Sequence, residues 1–204
     1  RPLRRLLAAF RLFVARGLVV APSGPRATIF ISRRPYTCGG AQHASVSRQI
    51  GNEEELLEGL RRVAAAPASA TQASNRPFDS ARDGELAMPV ERHDFACRPY
   101  REQLGVIART EVLVGMHGAA FGHALFLRSG AAVVELVAGG KSWRLFEHLS
   151  NMRHITHFRS SEHQLLLMNA SGEYFQINVA AATGVYRRAL ATVQLPRSLL
   201  HEIA

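Results

Sequence analysis

Lysine is nearly absent from this chain. Its 204 residues hold 25 Lys and Arg against 16 Asp and Glu, a net charge of +9, yet Lys141 is the single lysine. The positive charge is therefore carried by guanidinium groups, which fork onto phosphate and carboxylate oxygens as an ammonium does not. A bias toward Arg codons and an anionic partner both explain such a composition. The arginines are scattered along the chain rather than gathered into one basic run. That argues against a nucleic-acid-binding tail. Cysteine is scarce too: Cys38 and Cys97 lie far apart with no CxxC spacing, which speaks against a structural zinc site. The two either form one disulfide in an oxidising lumen or stay free. No run of about 18 apolar residues exists, so no segment spans a bilayer. GxGxxG, P-loop and HExxH patterns are missing as well. His123, His148, His154 and His157 show no paired-carboxylate context and read as structural, and no metal is expected. The chain opens on Arg1 rather than Met. It is expected to be processed or a fragment, so the missing targeting segment says little about compartment.

What is present is an alternation. Leu3, Leu6, Leu7, Phe10, Phe13 and Val14 recur at helical spacing and predict an amphipathic helix to about Arg16, packed against a sheet or lying on a membrane surface. Ala27 to Ser32 is a short apolar, β-branched run and reads as a buried strand, with a glycine-rich loop after it through Cys38-Gly39-Gly40. Asn52 with Glu55 has the form of a capping box, opening a helix that ends at Pro67. Residues 67–85 are rich in Ala, Ser and Pro and predict a flexible loop, followed by a short strand near Leu86–Val90. A helix around Tyr100–Ala108, a strand over Glu111–Gly115, a helix from Gly118 to Leu127 and a strand over Ala131–Leu136 come next. A helix over Lys141–Ser150, a strand over His154–Phe158 and a last helix from Val179 to Val193 complete the series. Apolar strands alternating with helices mean a mostly parallel sheet covered on both faces, a doubly wound, Rossmann-like α/β fold within one domain spanning 1–204.

In such a sheet, ligands bind beyond the carboxyl ends of the strands. One candidate is the turn after the Glu111–Gly115 strand, His117-Gly118-Ala119. Gly118 lets backbone approach a ligand, the helix N-terminus favours an anion and His117 can donate to phosphate. A plain βα turn with a satisfied histidine has the same pattern. Arg33, with Ser32 before it, follows the first strand and can fork onto a pyrophosphate; a surface arginine is the alternative. Glu135 is placed to accept from ribose hydroxyls, or to pair with an arginine. Arg48 and Asn52-Glu53 form a further candidate, although Asn52 serves as a helix cap. Gln103 either points at the same crevice or lies on a helix surface. Asn169-Ala170-Ser171 is a glycosylation sequon, relevant in a secretory chain.

The order of pieces resembles glycosyltransferase family 61. It runs from Ile31-Ser32-Arg33 and Arg48-Gln49-Ile50-Gly51-Asn52-Glu53 through Glu102-Gln103-Leu104 to Val114-Gly115-Met116-His117-Gly118-Ala119-Ala120. Leu125-Phe126-Leu127 and Val133-Val134-Glu135-Leu136 follow. From Glu111 through Thr156 it looks most like the EGF-domain-specific O-linked N-acetylglucosamine transferase branch. The resemblance covers residues 3–193 and implies an inverting transferase using a UDP-sugar, UDP-N-acetylglucosamine or a UDP-pentose, on a protein or polysaccharide hydroxyl. It implies the donor-binding, C-terminal half of a GT-B-like build in the endoplasmic reticulum or Golgi. A membrane is reached only through an unseen N-terminal anchor, with no cofactor and no nucleic acid. Arg33 and the His117-Gly118 turn would meet the pyrophosphate, and Glu135 the nucleoside. Two departures stand out. Ala120-Phe121 replaces the family's Gly-Leu, which is expected to narrow the donor pocket, and the acidic acceptor domain lies outside these residues, leaving no base to name. A non-catalytic nucleotide-sugar binder and a basic nucleic-acid scaffold are the alternatives.

Overall fold

The computed structural model describes residues 2–18, 20–39, 41–43, 46–66, 88–137, 144–160, 165–167 and 174–194. In chain order the elements are α1 (Pro2–Leu18), β1 (Ala27–Ile31), β2 (Tyr36–Cys38), β3 (Ala41–His43), β4 (Gln49–Ile50), α2 (Glu53–Ala65), β5 (Val90–His93) and α3 (Tyr100–Ala108). Then come β6 (Thr110–Met116), a 3₁₀ helix (Ala119–Phe126), β7 (Ala132–Leu136), α4 (Leu145–Met152), β8 (Thr156–Arg159), β9 (Leu165–Leu167), β10 (Tyr174–Ile177) and α5 (Val179–Gln194).

Five strands form the central sheet in the order β5-β1-β6-β7-β8, and every neighbouring pair is parallel. The chain runs from β1 out to β5, then crosses back to β6 on the other side of β1. The crossing makes the carboxyl ends of β1 and β6 the two lips of a switch point, where an open parallel sheet leaves a crevice. The two-residue period of the strands sorts the core. Phe30, Val112, Val114, Met116, Val134 and Leu136 face α2 and α5. Ile29, Ile31, Leu113 and Val133 face α3, the 3₁₀ helix and α4. Apolar side chains on both faces of β1, β6 and β7 leave no wet side, so the sheet is a middle layer.

Close helix packing supports this layering. A Cβ on Gly59 would stand 2.8 Å from Val179 Cγ1 and 2.9 Å from Thr183 Cγ2, so glycine lets α2 and α5 touch. From the same side, Tyr186 of α5 reaches Thr28 of β1 through a buried 2.7 Å hydrogen bond.

Several expectations change in detail. The segment after Gly118 is a 3₁₀ helix and not an α-helix, so its aligned dipoles are fewer and its turns tighter. α1 is amphipathic, but it lies on the 3₁₀ helix and not on the sheet. Arg11 Nη2 donates to the carbonyls of Phe126 and Leu127, at 3.3 and 3.0 Å, and Phe10 packs on Phe126. The segment around Cys38 forms a hairpin, β2–β3, where a glycine-rich loop was expected. A small sheet of order β4-β10-β9 also lacks a counterpart in the expected elements. Cys38 and Cys97 are joined as a disulfide, with Cα atoms 5.6 Å apart. It ties the hairpin after β1 to the loop after β5. The expected loop over 67–85, residues 86–87 of the expected strand, Lys141 and the sequon lie outside the described residues.

Candidate functional site

The site is built where β1 and β6 end. β1 delivers Ser32 and Arg33; β6 delivers His117 and Gly118. Arg33 Nη1 approaches the His117 carbonyl at 3.5 Å, and the guanidinium lies over Gly118. A Cβ added to Gly118 would fall 3.3 Å from Arg33 Cζ and closer still to Nη1. Gly118 has extended backbone, so glycine is needed here for close approach and not for a special dihedral. Arg33 and the His117-Gly118 corner therefore meet at neighbouring strand ends. Ala119 opens the 3₁₀ helix, whose first amides have no partner within the helix.

The charges around Arg33 separate into paired and unpaired. Arg34 donates to Glu53 at 2.9 Å and to Glu54 at 3.2 Å, and Arg92 also meets Glu54. Ser32 donates its hydroxyl to both oxygens of Glu53, which is buried. No carboxylate lies within ion-pair distance of Arg33 among the described residues. Its Nε is buried without a hydrogen-bond partner. Burial first, and then the Arg48 charge, push the Arg33 guanidinium below its usual value, with Tyr36 opposing. Arg48 acts on the site by charge and has a left-handed φ of 63°, a conformation uncommon for a residue with a Cβ.

An open cleft of about 470 Å³ adjoins Arg33 and runs over Gly51, Asn52, Glu53 and Glu55. His117 is not among its lining residues. The cleft and the corner thus meet at Arg33, one rich in carboxylates and the other in donors. Three glutamates in the first turn of α2 make that helix N-terminus a poor anion site, because they already complement its dipole. Carboxylates of this kind accept from hydroxyl groups.

Three candidates move. Glu135 does not face the crevice: it is 2% exposed, and its oxygens meet His117 Nδ1 and, at 3.1 Å, His157 Nε2. This corrects the expectation of a ribose contact, since the buried carboxylate accepts from one imidazole and faces a second. Asn52 holds the N-cap position without a side-chain cap. Its amide instead clasps the Ile177 backbone, at 2.8 and 2.9 Å, and donates to Glu55 at 3.0 Å. Gln103 donates to the carbonyls of Phe95 and Arg98 and so anchors the loop after β5. The partly buried Ala120 methyl packs against the core cluster on the α3 side.

His157 is the residue that sequence reasoning set aside. Val133 pairs with His157 in register, which puts the ring on the face that carries Glu135. Only strand pairing reveals that, because the two residues are 22 positions apart. The ring of His117 is backed by Phe146 of α4, with centroids 5.2 Å apart. Among the described residues no group of three or more His, Cys, Asp or Glu is arranged to hold a metal ion.

Arg33, the corner and the 3₁₀ helix all fall within residues 2–134, the stretch matched by the model of the family Glycosyltransferase 61. The chain belongs to glycosyltransferase family 61. A relative within reach is the EGF domain-specific O-linked N-acetylglucosamine transferase of Drosophila melanogaster, 31% identical over 134 residues. The alignment covers 64% of this chain and 20% of the relative, so the family 61 chain spans about a fifth of that relative's length. The family match ends at Val134, one residue short of Glu135.

Proposed function

We propose that this family 61 domain seats the diphosphate of a UDP-sugar between Arg33 and the His117-Gly118 corner. The observation that carries the reading is a half-buried guanidinium, folded over glycine, with no carboxylate of its own among the described residues. Such a group is costly to keep unless something anionic arrives from outside. The carboxylate-lined cleft beside it suits the hydroxyls of a ribose or sugar. In the complete enzyme an acceptor hydroxyl attacks the anomeric carbon and the C–O bond to the diphosphate breaks. Negative charge gathers on the leaving oxygen, where fixed donors stabilise it. An inverting outcome follows from a single displacement. The base that removes the acceptor proton belongs to another domain. The relative's name specifies N-acetylglucosamine as the sugar, so UDP-N-acetylglucosamine is the first donor to test and a UDP-pentose the second. A lumenal setting in the endoplasmic reticulum or Golgi fits the Cys38–Cys97 disulfide.

Calorimetry with UDP tests the reading. The chain should bind UDP, and Arg33→Ala should weaken it by about 10–100-fold, the worth of a charge-assisted hydrogen bond pair. No heat with UDP at millimolar concentration, or equal affinity in Arg33→Ala, would refute it.

A further inference from the structure

Burying a carboxylate is unfavourable unless its oxygens are taken. Glu135 meets that requirement with two histidines, one on each oxygen. Burial pushes its carboxyl up, but the hydrogen bond from His117 and the adjoining His157 imidazole, whose Nε2 stands 3.1 Å away without a well-directed hydrogen bond, outweigh burial and hold it below the usual range. Glu135 is therefore an anion, and an anionic carboxylate only accepts. His117 must face it with an N–H at Nδ1. A neutral imidazole has one N–H, so its other nitrogen, Nε2, then carries a lone pair. That Nε2 makes no hydrogen bond among the described residues and is not sealed from solvent, for the side chain keeps 22% exposure.

A phosphate oxygen is likewise an acceptor. It is repelled by a bare Nε2 and attracted by a protonated one. The groups around the ring set the balance. Arg33, at the end of β1, opposes a second positive charge on the ring while the seat is empty. Glu135 of β7 favours that charge. His157 of β8 shares the same carboxylate from its far side, and Phe146 of α4 is uncharged. An anion between Arg33 and His117 cancels the opposition.

We propose that filling the seat with a diphosphate draws one proton from solution onto His117 Nε2, with Glu135 and His157 as positioning residues. The inference rests on the diphosphate reading above. The Nδ1–H bond to Glu135 persists throughout, and the new proton comes from buffer and returns to it when the diphosphate leaves. Glu135 offsets the added charge, which is why a carboxylate is kept under the corner and not in the crevice.

The test is calorimetry of UDP binding to the full chain at pH 8 in two buffers of different ionisation enthalpy. Net proton uptake should accompany UDP binding, and affinity should fall as pH rises. His117→Gln should still bind UDP through Arg33, with no uptake and no pH slope. Glu135→Gln should lose most of the uptake; if it fails to fold, the wild-type and His117→Gln measurements decide. Nitrogen NMR of the ligand-free chain should find the His117 proton on Nδ1. Heat without proton exchange, or an Nε2–H tautomer in the free chain, would overturn the inference and leave the diphosphate reading standing. No heat at all would bring down both.

Discussion

The two ends of β6 carry charge and treat it in opposite ways. At the amino end, Glu111 is 2% exposed and lies between Arg128 and Arg26, with the Arg26 Nε at 3.3 Å. Neither oxygen has a well-directed hydrogen bond, so the attraction is mainly Coulombic. At the carboxyl end the order is reversed: a guanidinium, Arg33, is brought onto backbone with no carboxylate beside it among the described residues. The first arrangement is closed, and its buried carboxylate is met by guanidinium groups within the fold. The second is open, and its balance is completed by something the chain does not contain. Both ends show buried charge, but only the open one has reason to bind an external anion.

The contrast can be broken by substitution. Glu111→Gln removes the charge facing two arginines and should cost about 2–3 kcal/mol, a fall in Tm of roughly 5–10 °C, without changing UDP affinity. Equal loss of affinity would mean that the ends are not independent. Arg33→Leu should do the reverse: UDP affinity drops about 100-fold while thermal denaturation shows Tm unchanged or raised, since a half-buried cation is gone. A clear drop in Tm would make Arg33 structural. Gly118→Ala forces the guanidinium aside and should weaken UDP about tenfold at nearly constant Tm. The smallest effect belongs to Glu91. The Arg109 hydrogen bond, against an opposing push from burial, holds its carboxyl at about 2, down from 4.5. A depressed folded value means that stability is complete above the unfolded value and drains as pH falls toward the folded one. Glu91→Gln should flatten Tm against pH between about 4.5 and 2 and leave UDP affinity alone.

Much of the frame was legible in the order of residues. The apolar runs at β1, β6 and β7 and the helical periods of α2 and α5 are local patterns, and each element forms close to where its pattern lies. Arg33 and His117-Gly118 were legible for the same reason, since both sit directly after a strand and strand ends in a parallel sheet gather on one edge. Asn52 misled because its amide has two possible partners, its own helix and the Ile177 backbone 125 residues away. Local spacing speaks only for the first. Glu135 misled in the same way: its position near a strand end was plain, whereas the choice between solvent and imidazole depends on which strand lies next to it.

Sequence alone therefore determined the alternation of strands and helices, the two-sided burial of the sheet, and the positions of the guanidinium and the glycine corner. These follow from periodicity and chain direction, which are properties of neighbours along the chain. The pairing of Cys38 with Cys97, the clasp of Asn52 and the burial of Glu135 between two imidazoles were decided by tertiary structure. Strand order and register bring together groups that share no local pattern, and a buried charge takes whichever partner that geometry supplies.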